Sequence, residues 1–299
     1  MDITQTNSSK NVTAWERTFP PDLDDSSSNA KFTQRAIMLA VCHILRKREV
    51  LPLECFKDRR IVKTVLPYFS LENDIGRNLN SKFKGVLESL EKGYLDEFVL
   101  GFYEKIDPTN IYESYSFKIY YNDDNSVNFC YLEKKDAEAR LLAQKTKYYG
   151  IESTKEIFFN MMKRLSVLMK QLDPIPSESD ATFRIAYRPH TPPDFEASGF
   201  TSSEMFYEPP AGTDEVDIAK LSCNQMGSLL SGRSILRGSK AQNISSVTNV
   251  SNMTEQATID RDNFMNPPNI SRDRTLNSQI VNSAEEVEEQ PMRKSRRTK

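Results

Sequence analysis

Histidine is nearly missing from this chain: 299 residues hold two, His43 and His190. The four cysteines, Cys42, Cys55, Cys130 and Cys223, are scattered and form no CxxC pair. A zinc site needs convergent soft ligands, so this inventory offers no recognisable metal centre. The thiols read as free and reduced, as in an intracellular protein. Cys42 and His43 are sequence neighbours, which leave a helix in different directions and cannot form a nucleophile–base pair. Glycine-rich phosphate loops, GxSxG and HExxH are also lacking. The chain therefore reads as a non-enzyme with no cofactor and no metal. The longest apolar run, residues 36–45, contains His43 and is too short to cross a bilayer. The opening MDITQTNSSK has neither the apolar stretch nor the cleavage site of a signal peptide. A net charge of −2 gives no whole-chain pull toward nucleic acid or an anionic membrane. A soluble intracellular protein without a membrane partner is expected.

Aromatic residues divide what remains. There are 16 Phe, 12 Tyr and 1 Trp, yet only Phe264 lies beyond Tyr207. A segment so poor in large side chains builds no packed core of its own. From about Gly227 the chain also turns rich in Ser, Asn and Thr. The composition predicts a floppy arm over 1–28, one domain over 29–230 and a disordered tail over 231–299.

Periodicity within the domain is legible. Ile37, Val41, Ile44 and Leu45 share a face of a helix over 31–48. Phe83, Val86, Leu87, Leu90 and Tyr94 mark a second over 79–94. Ile157, Met161, Leu165, Leu168 and Leu172 mark a third over 152–172, with Ser153 or Thr154 as cap and Pro174 as stop. Its Phe and Met residues read as core filler. Alternation at Tyr115, Phe117, Ile119 and Tyr121, then at Val127, Phe129 and Tyr131, predicts a hairpin turning at 122–125. Residues 97–103 (EFVLGFY) and the alternation Phe183, Ile185, Tyr187 read as two more strands. Helices flanking hairpin-linked strands imply an α+β domain with a mostly antiparallel sheet.

Two stretches carry a resemblance to a known family. Residues 87–103 (LESLEKGYLDEFVLGFY), followed by 111–117 (IYESYSF), are similar to a run in the HORMA proteins of the meiotic chromosome axis. Residues 184–200 (RIAYRPHTPPDFEASGF) follow the same branch, and TPPDF before GF is the more specific signal. The likeness covers about 30–200 and thins through Phe206 and Tyr207. His190 departs from the family's polar or acidic residue, and no PHD-like or winged-helix module follows. The chain resembles the short, nematode-type axis proteins.

The resemblance implies a HORMA domain: three main helices on a mostly antiparallel sheet, with a C-terminal safety belt at about 189–230. The belt wraps a short closure-motif peptide that adds as a strand beside the 183–188 strand. The belt and adjacent strand would bind peptide through Phe183, Arg184, Ile185, Tyr187, Arg188, Pro192, Pro193, Phe195, Phe200, Phe206 and Tyr207. Each has a plainer reading. Phe183, Ile185 and Tyr187 suit the core, Arg184 and Arg188 suit a solvated edge, and Pro192-Pro193 suits a rigid turn. His190 reads as an exposed loop residue. The implied partners are closure motifs of other axis HORMA proteins, the chain's own tail, an AAA+ remodeller and, indirectly, chromatin.

The tail closes on an acidic block, Glu285, Glu286, Glu288 and Glu289, followed by Arg293, Lys294, Arg296, Arg297 and Lys299. The basic cluster reads as a nuclear import signal. A closure motif overlapping it would use Val287, Met292, Arg293 and Lys294, with the cations meeting belt acids Asp214, Glu215 and Asp217. Residues 260–274 are a second candidate. Ser278-Gln279 fits the preference of DNA-damage-type kinases. The resemblance implies a scaffold on the meiotic chromosome axis in the nucleus, acting in synaptonemal-complex assembly, homologue pairing, synapsis, crossover control and checkpoint signalling. The alternatives are a spindle-checkpoint or DNA-repair HORMA adaptor, a nucleic-acid binder using the basic tail, and a small hydrolase.

Overall fold

The computed structural model describes residues 13–121, 148–203, 210, 212–213 and 215–236. The first helix, α1 (Ser26–Lys47), begins where Asp25 accepts the Ser28 N–H at 2.9 Å. Arg46 and Lys47 stand in its last turn, where the helix dipole favours cations. Apolar residues occur around most of its circumference, so it is buried among the other elements: Phe32, Ala36, Ile37, Ala40 and Ile44 have no exposed surface. A two-stranded hairpin follows, β1 (Phe56–Ile61) and β2 (Thr64–Phe69). The second helix, α2 (Asp74–Glu91), is capped by Asn73, which accepts the Gly76 N–H at 2.9 Å. It buries Phe83, Val86 and Leu90.

The main sheet is antiparallel throughout, in the order β5-β3-β4-β7-β6. Its strands are β3 (Leu95–Glu104), β4 (Ile111–Tyr121), β5 (Ser179–Tyr187), β6 (Val216–Ser222) and β7 (Met226–Ser234). The third helix, α3 (Ile151–Met169), buries Phe158, Met161, Met162 and Leu165. Phe98, Leu100 and Phe102 on β3, with Tyr115 and Phe117 on β4, join the core these helices cover. Phe98 lies 5.7 Å from Phe83 on α2 and 6.0 Å from Phe117, ring centre to ring centre. The α+β class with three helices and an antiparallel sheet is as expected from the sequence.

Several boundaries differ. The expected arm over 1–28 is not loose across 13–28: Trp15, Phe19 and Leu23 are 2%, 1% and 0% exposed. Trp15 stacks on Phe19 at 4.2 Å, and both rings meet Phe158 of α3. Three large apolar side chains in a polar stretch suffice to seat the segment, because each brings a large area to the core. Trp15→Ala should cost about 2–3 kcal/mol, less than a full cavity because the indole N–H has no partner among the described residues. Urea unfolding measures it, and a loss below about 0.5 kcal/mol would contradict the packing.

At the other end, β7 runs to Ser234, into the region expected to be tail. Helix α3 is capped by Gly150 without a side-chain bond, not by Ser153 or Thr154. Thr154 Oγ1 donates instead to Ser222 O on β6, at 3.1 Å. The expected hairpin of 115–121 with 127–131 finds no free edge over 115–117, because β3 and β7 occupy both sides of β4 there. Residues 127–131 themselves lie outside the described residues.

His43 packs α1 on α3, its Nε2 2.8 Å from Ser166 Oγ. Ser166 Oγ also lies within hydrogen-bond distance of Met162 O, at 3.0 Å. Burial, helped by Lys47 and Arg46, holds this imidazole down at about 4. The unfolded chain returns it to ~6.5. Unfolding therefore takes up a proton between those values, so stability is full above pH ~6.5 and falls as pH drops toward ~4. About 2 kcal/mol should be lost between pH 7 and pH 5, and His43→Gln should remove most of that slope. An unchanged slope in the variant would place the effect elsewhere.

Candidate functional site

An antiparallel sheet that is not closed has two edges, and here they are treated differently. The outer edge of β6 lies against α3, where Arg164 Nη1 donates to Ile218 O at 2.9 Å and Thr154 Oγ1 to Ser222 O. Such cover blunts an edge. Strand β5 bonds to β3 on one side, and among the described residues no strand pairs with its other side. Beside it runs a groove of ≈ 810 Å³, walled by Thr182–Arg188 on one side and by 191–196 with 200–203 on the other. Glu97 and Val99 of β3 complete the lining.

The candidate residues fall around this groove. Phe183 is half-buried: one side meets Phe83 and Phe98 at 5.9 and 5.5 Å, and the residue also lines the groove. Ile185 likewise packs on the core and lines the groove. These two side chains thus pack on the core and border the groove at once. Arg184 lines the groove between them. The Tyr187 hydroxyl accepts the Ala197 N–H at 2.9 Å, and burial pushes the phenol up. Arg188 ends the strand: its N–H donates to Tyr94 O at 2.8 Å, and its guanidinium lies 4.7 Å over the Tyr121 ring.

Beyond β5 the chain turns back along α2. Pro192 and Pro193 are exposed at the groove's rim, and Pro192 O accepts the Phe195 N–H at 3.0 Å. Phe195 is wedged between Tyr94 and Tyr187, at 5.0 and 5.4 Å, with Lys92 Nζ 4.5 Å over its face. Lys92, with Ser198, holds the Glu88 carboxyl below the usual range. Phe200 lies under Lys82 Nζ at 5.7 Å. His190 sits edge-on to Tyr94 at 6.0 Å. Phe206, Tyr207, Asp214, Ser278, Val287, Met292, Arg293, Lys294, Arg296, Arg297 and Lys299 lie outside the described residues.

Glu215 is bound to Arg233 at 2.7 Å and to Ser231, and precedes β6 at the edge opposite β5. The sequence reading passed over Glu97 and Val99. Their signal was present, since they alternate with the core-facing Phe98 and Leu100, and Val99 is only 4% exposed. Among the described residues no group of three His, Cys, Asp or Glu is placed to hold a metal ion.

The chain's path explains what such a groove can do. It leaves β5 at one edge of the sheet and enters β6 at the other, about 19 Å away at the usual strand spacing. The β6–β7 hairpin is then bonded to β4 over nine residue pairs, Glu113↔Ser234 to Tyr121↔Met226. An extended segment placed on β5 would be flanked by its own domain on both sides.

Comparison with known proteins finds likeness in both sequence and fold. Human HORMA domain-containing protein 1 is 26% identical over 191 residues, 62% of this chain and 46% of the relative. The chain thus spans about half the length of the curated relatives it matches. The structure of C. elegans HTP-2 bound to the HIM-3 closure motif aligns at a TM-score of 0.67 with 25% identity, covering 75% of this chain and 97% of that one. C. elegans HTP-1 bound to HTP-3 motif-1 aligns at 0.69 and 22% identity, over 76% and 99%, a likeness of fold. The HORMA-domain family model matches residues 29–228, from the start of α1 into β7. With two thirds of its length in that match, this chain belongs to the HORMA-domain family.

Proposed function

We propose that the chain is a non-enzymatic scaffold that captures closure-motif peptides of other axis proteins on the β5 edge and encloses them with the belt. The observation that carries this is the asymmetry of the sheet: β6 is covered by α3 while β5 borders a groove whose far wall is the belt itself. From Thr182 to Tyr187 that edge spans about 20 Å, room for a strand of about six residues. Main-chain bonds would supply affinity, and alternate side chains would meet Phe183, Ile185 and Tyr187 on one side and Arg184 and Arg188 on the other.

The setting we infer is the meiotic chromosome axis in the nucleus. Support comes from the relatives: HTP-2 is bound to a closure motif of HIM-3, and HTP-1 to a motif of HTP-3. Roles in synaptonemal-complex assembly, homologue pairing, synapsis, crossover control and checkpoint signalling belong to the same proposal. So do capture of the chain's own tail through Val287 and Met292, and release by an AAA+ remodeller, which slow escape from an enclosed groove would call for.

Fluorescence polarisation tests the reading. Labelled HIM-3 and HTP-3 closure-motif peptides and a peptide of residues 280–299 are titrated with the full chain. At least one should bind at about micromolar Kd or tighter, with dissociation over minutes or longer. Absence of binding by all of them at ~100 μM chain would defeat it.

A further inference from the structure

The segment that forms the outer wall of the groove is itself seated on α2. Lys82 Nζ donates to Gly199 O at 3.0 Å, and Ser198 Oγ donates to Glu88 Oε2 at 3.3 Å. Ala197 is 1% exposed and gives its N–H to Tyr187. The approach is closest at Gly85, in the interior of α2. A Cβ there would overlap the Ser198 carbonyl oxygen and lie 2.9 Å from the Ser198 nitrogen. Backbone has come where a side chain would stand. On the facing side, Gly199 has φ +82°, a left-handed conformation that L side chains rarely adopt, and it closes the turn from Ala197 O to the Phe200 N–H at 3.0 Å. A mid-helix glycine is unfavourable for α2 alone, and its use here is the room it leaves for a second backbone.

We propose that this contact anchors the first part of the belt to the domain. Residues 195–200 form a fixed dock on α2, and Gly85 is the positioning residue that sets how long an enclosed peptide stays. The proposal rests on the peptide-binding reading above. A wall free to swing from α2 would let a bound strand leave sideways once its main-chain bonds parted. A wall pinned to α2 closes that sideways route, so weakening the dock should open it and speed peptide release.

The test uses the full chain, its Gly85→Ala variant and, reaching the same contact from the belt without altering α2, Gly199→Ala. Amide hydrogen exchange is followed at 195–200 and at β7. Release of a labelled HIM-3 closure-motif peptide is followed after adding excess unlabelled peptide. In both variants exchange at 195–200 should rise about tenfold or more while β7 keeps its protection. Peptide release should accelerate about tenfold, with the association rate within about twofold of the parent. Helix propensity alone predicts the opposite for Gly85→Ala, a more protected α2 and unchanged release. That outcome, or equal loss of protection at β7, overturns the proposal. If the parent chain binds neither the HIM-3 peptide nor any other closure peptide, the peptide-binding reading and the residence claim fall together, while exchange at 195–200 still decides whether the dock exists.

Discussion

Glu113→Ala should lower the stability of the chain by about 3–5 kcal/mol, among the largest losses open to a single side chain here. Glu113 and Arg48 form a buried ion pair at 2.9 Å, with side chains 0% and 3% exposed. Tyr115 Oη and Ser234 Oγ also donate to this carboxylate, at 2.7 and 3.1 Å, and Arg48 donates on to Asp173 O at 2.7 Å. Burial pushes the Glu113 carboxyl up, and Arg48, Tyr115 and Ser234 oppose it. Removing the carboxylate leaves a buried guanidinium and two hydroxyls without it, and each must be desolvated unpaired. Ser234 belongs to β7, so the network also ties the belt's final strand to the end of α1. A double-mutant cycle with Arg48→Met in urea unfolding separates the effects: the double variant should lose clearly less than the sum of the singles. Additivity would mean that the pair is not coupled, contrary to its geometry.

Tyr187→Ala should weaken closure-peptide binding about 100-fold, mostly through faster release. Its ring faces the groove and holds Phe195 at 5.4 Å, while its hydroxyl accepts the Ala197 N–H. Tyr187→Phe keeps the ring and loses only the acceptor, so about a fivefold to tenfold effect is expected. Surface plasmon resonance with the HIM-3 peptide separates association from release. Parent-like binding by Tyr187→Ala would remove this residue from the site.

The helices and the central strands were legible because their burial is periodic. Phe83, Val86 and Leu90 repeat at helical spacing, and Tyr115, Phe117 and Ile119 alternate. Strand β1 was not, since Asp58, Arg59 and Arg60 are three consecutive exposed residues and give no alternation. Strand β7 was hidden by its composition. Its Ser and Gly residues look like low-complexity sequence, yet a Cβ at Gly232 would lie 3.1 Å from Ile218 and 3.3 Å from the Tyr115 ring. The small residue there lets β7 pack closely against Ile218 and Tyr115. For the same reason the chain beyond Arg188 is no removable appendage: Ile218, Leu221, Met226 and Leu230 are core residues, at most 4% exposed. Truncation after Arg188 would therefore unfold the sheet as well as remove the belt. On the site, the strand residues were readable by alternation, whereas the contribution of α2 depends on a backbone approach at Gly85 that no local pattern announces.

A crystal structure of the full chain with the HIM-3 closure-motif peptide tests the central claim most directly. The account predicts a peptide strand hydrogen-bonded to β5 along 182–187, lying between that strand and residues 191–203, with the β6–β7 hairpin still paired to β4. A peptide bound at the β6 edge or on the β1–β2 hairpin, with the β5 groove empty, would contradict it.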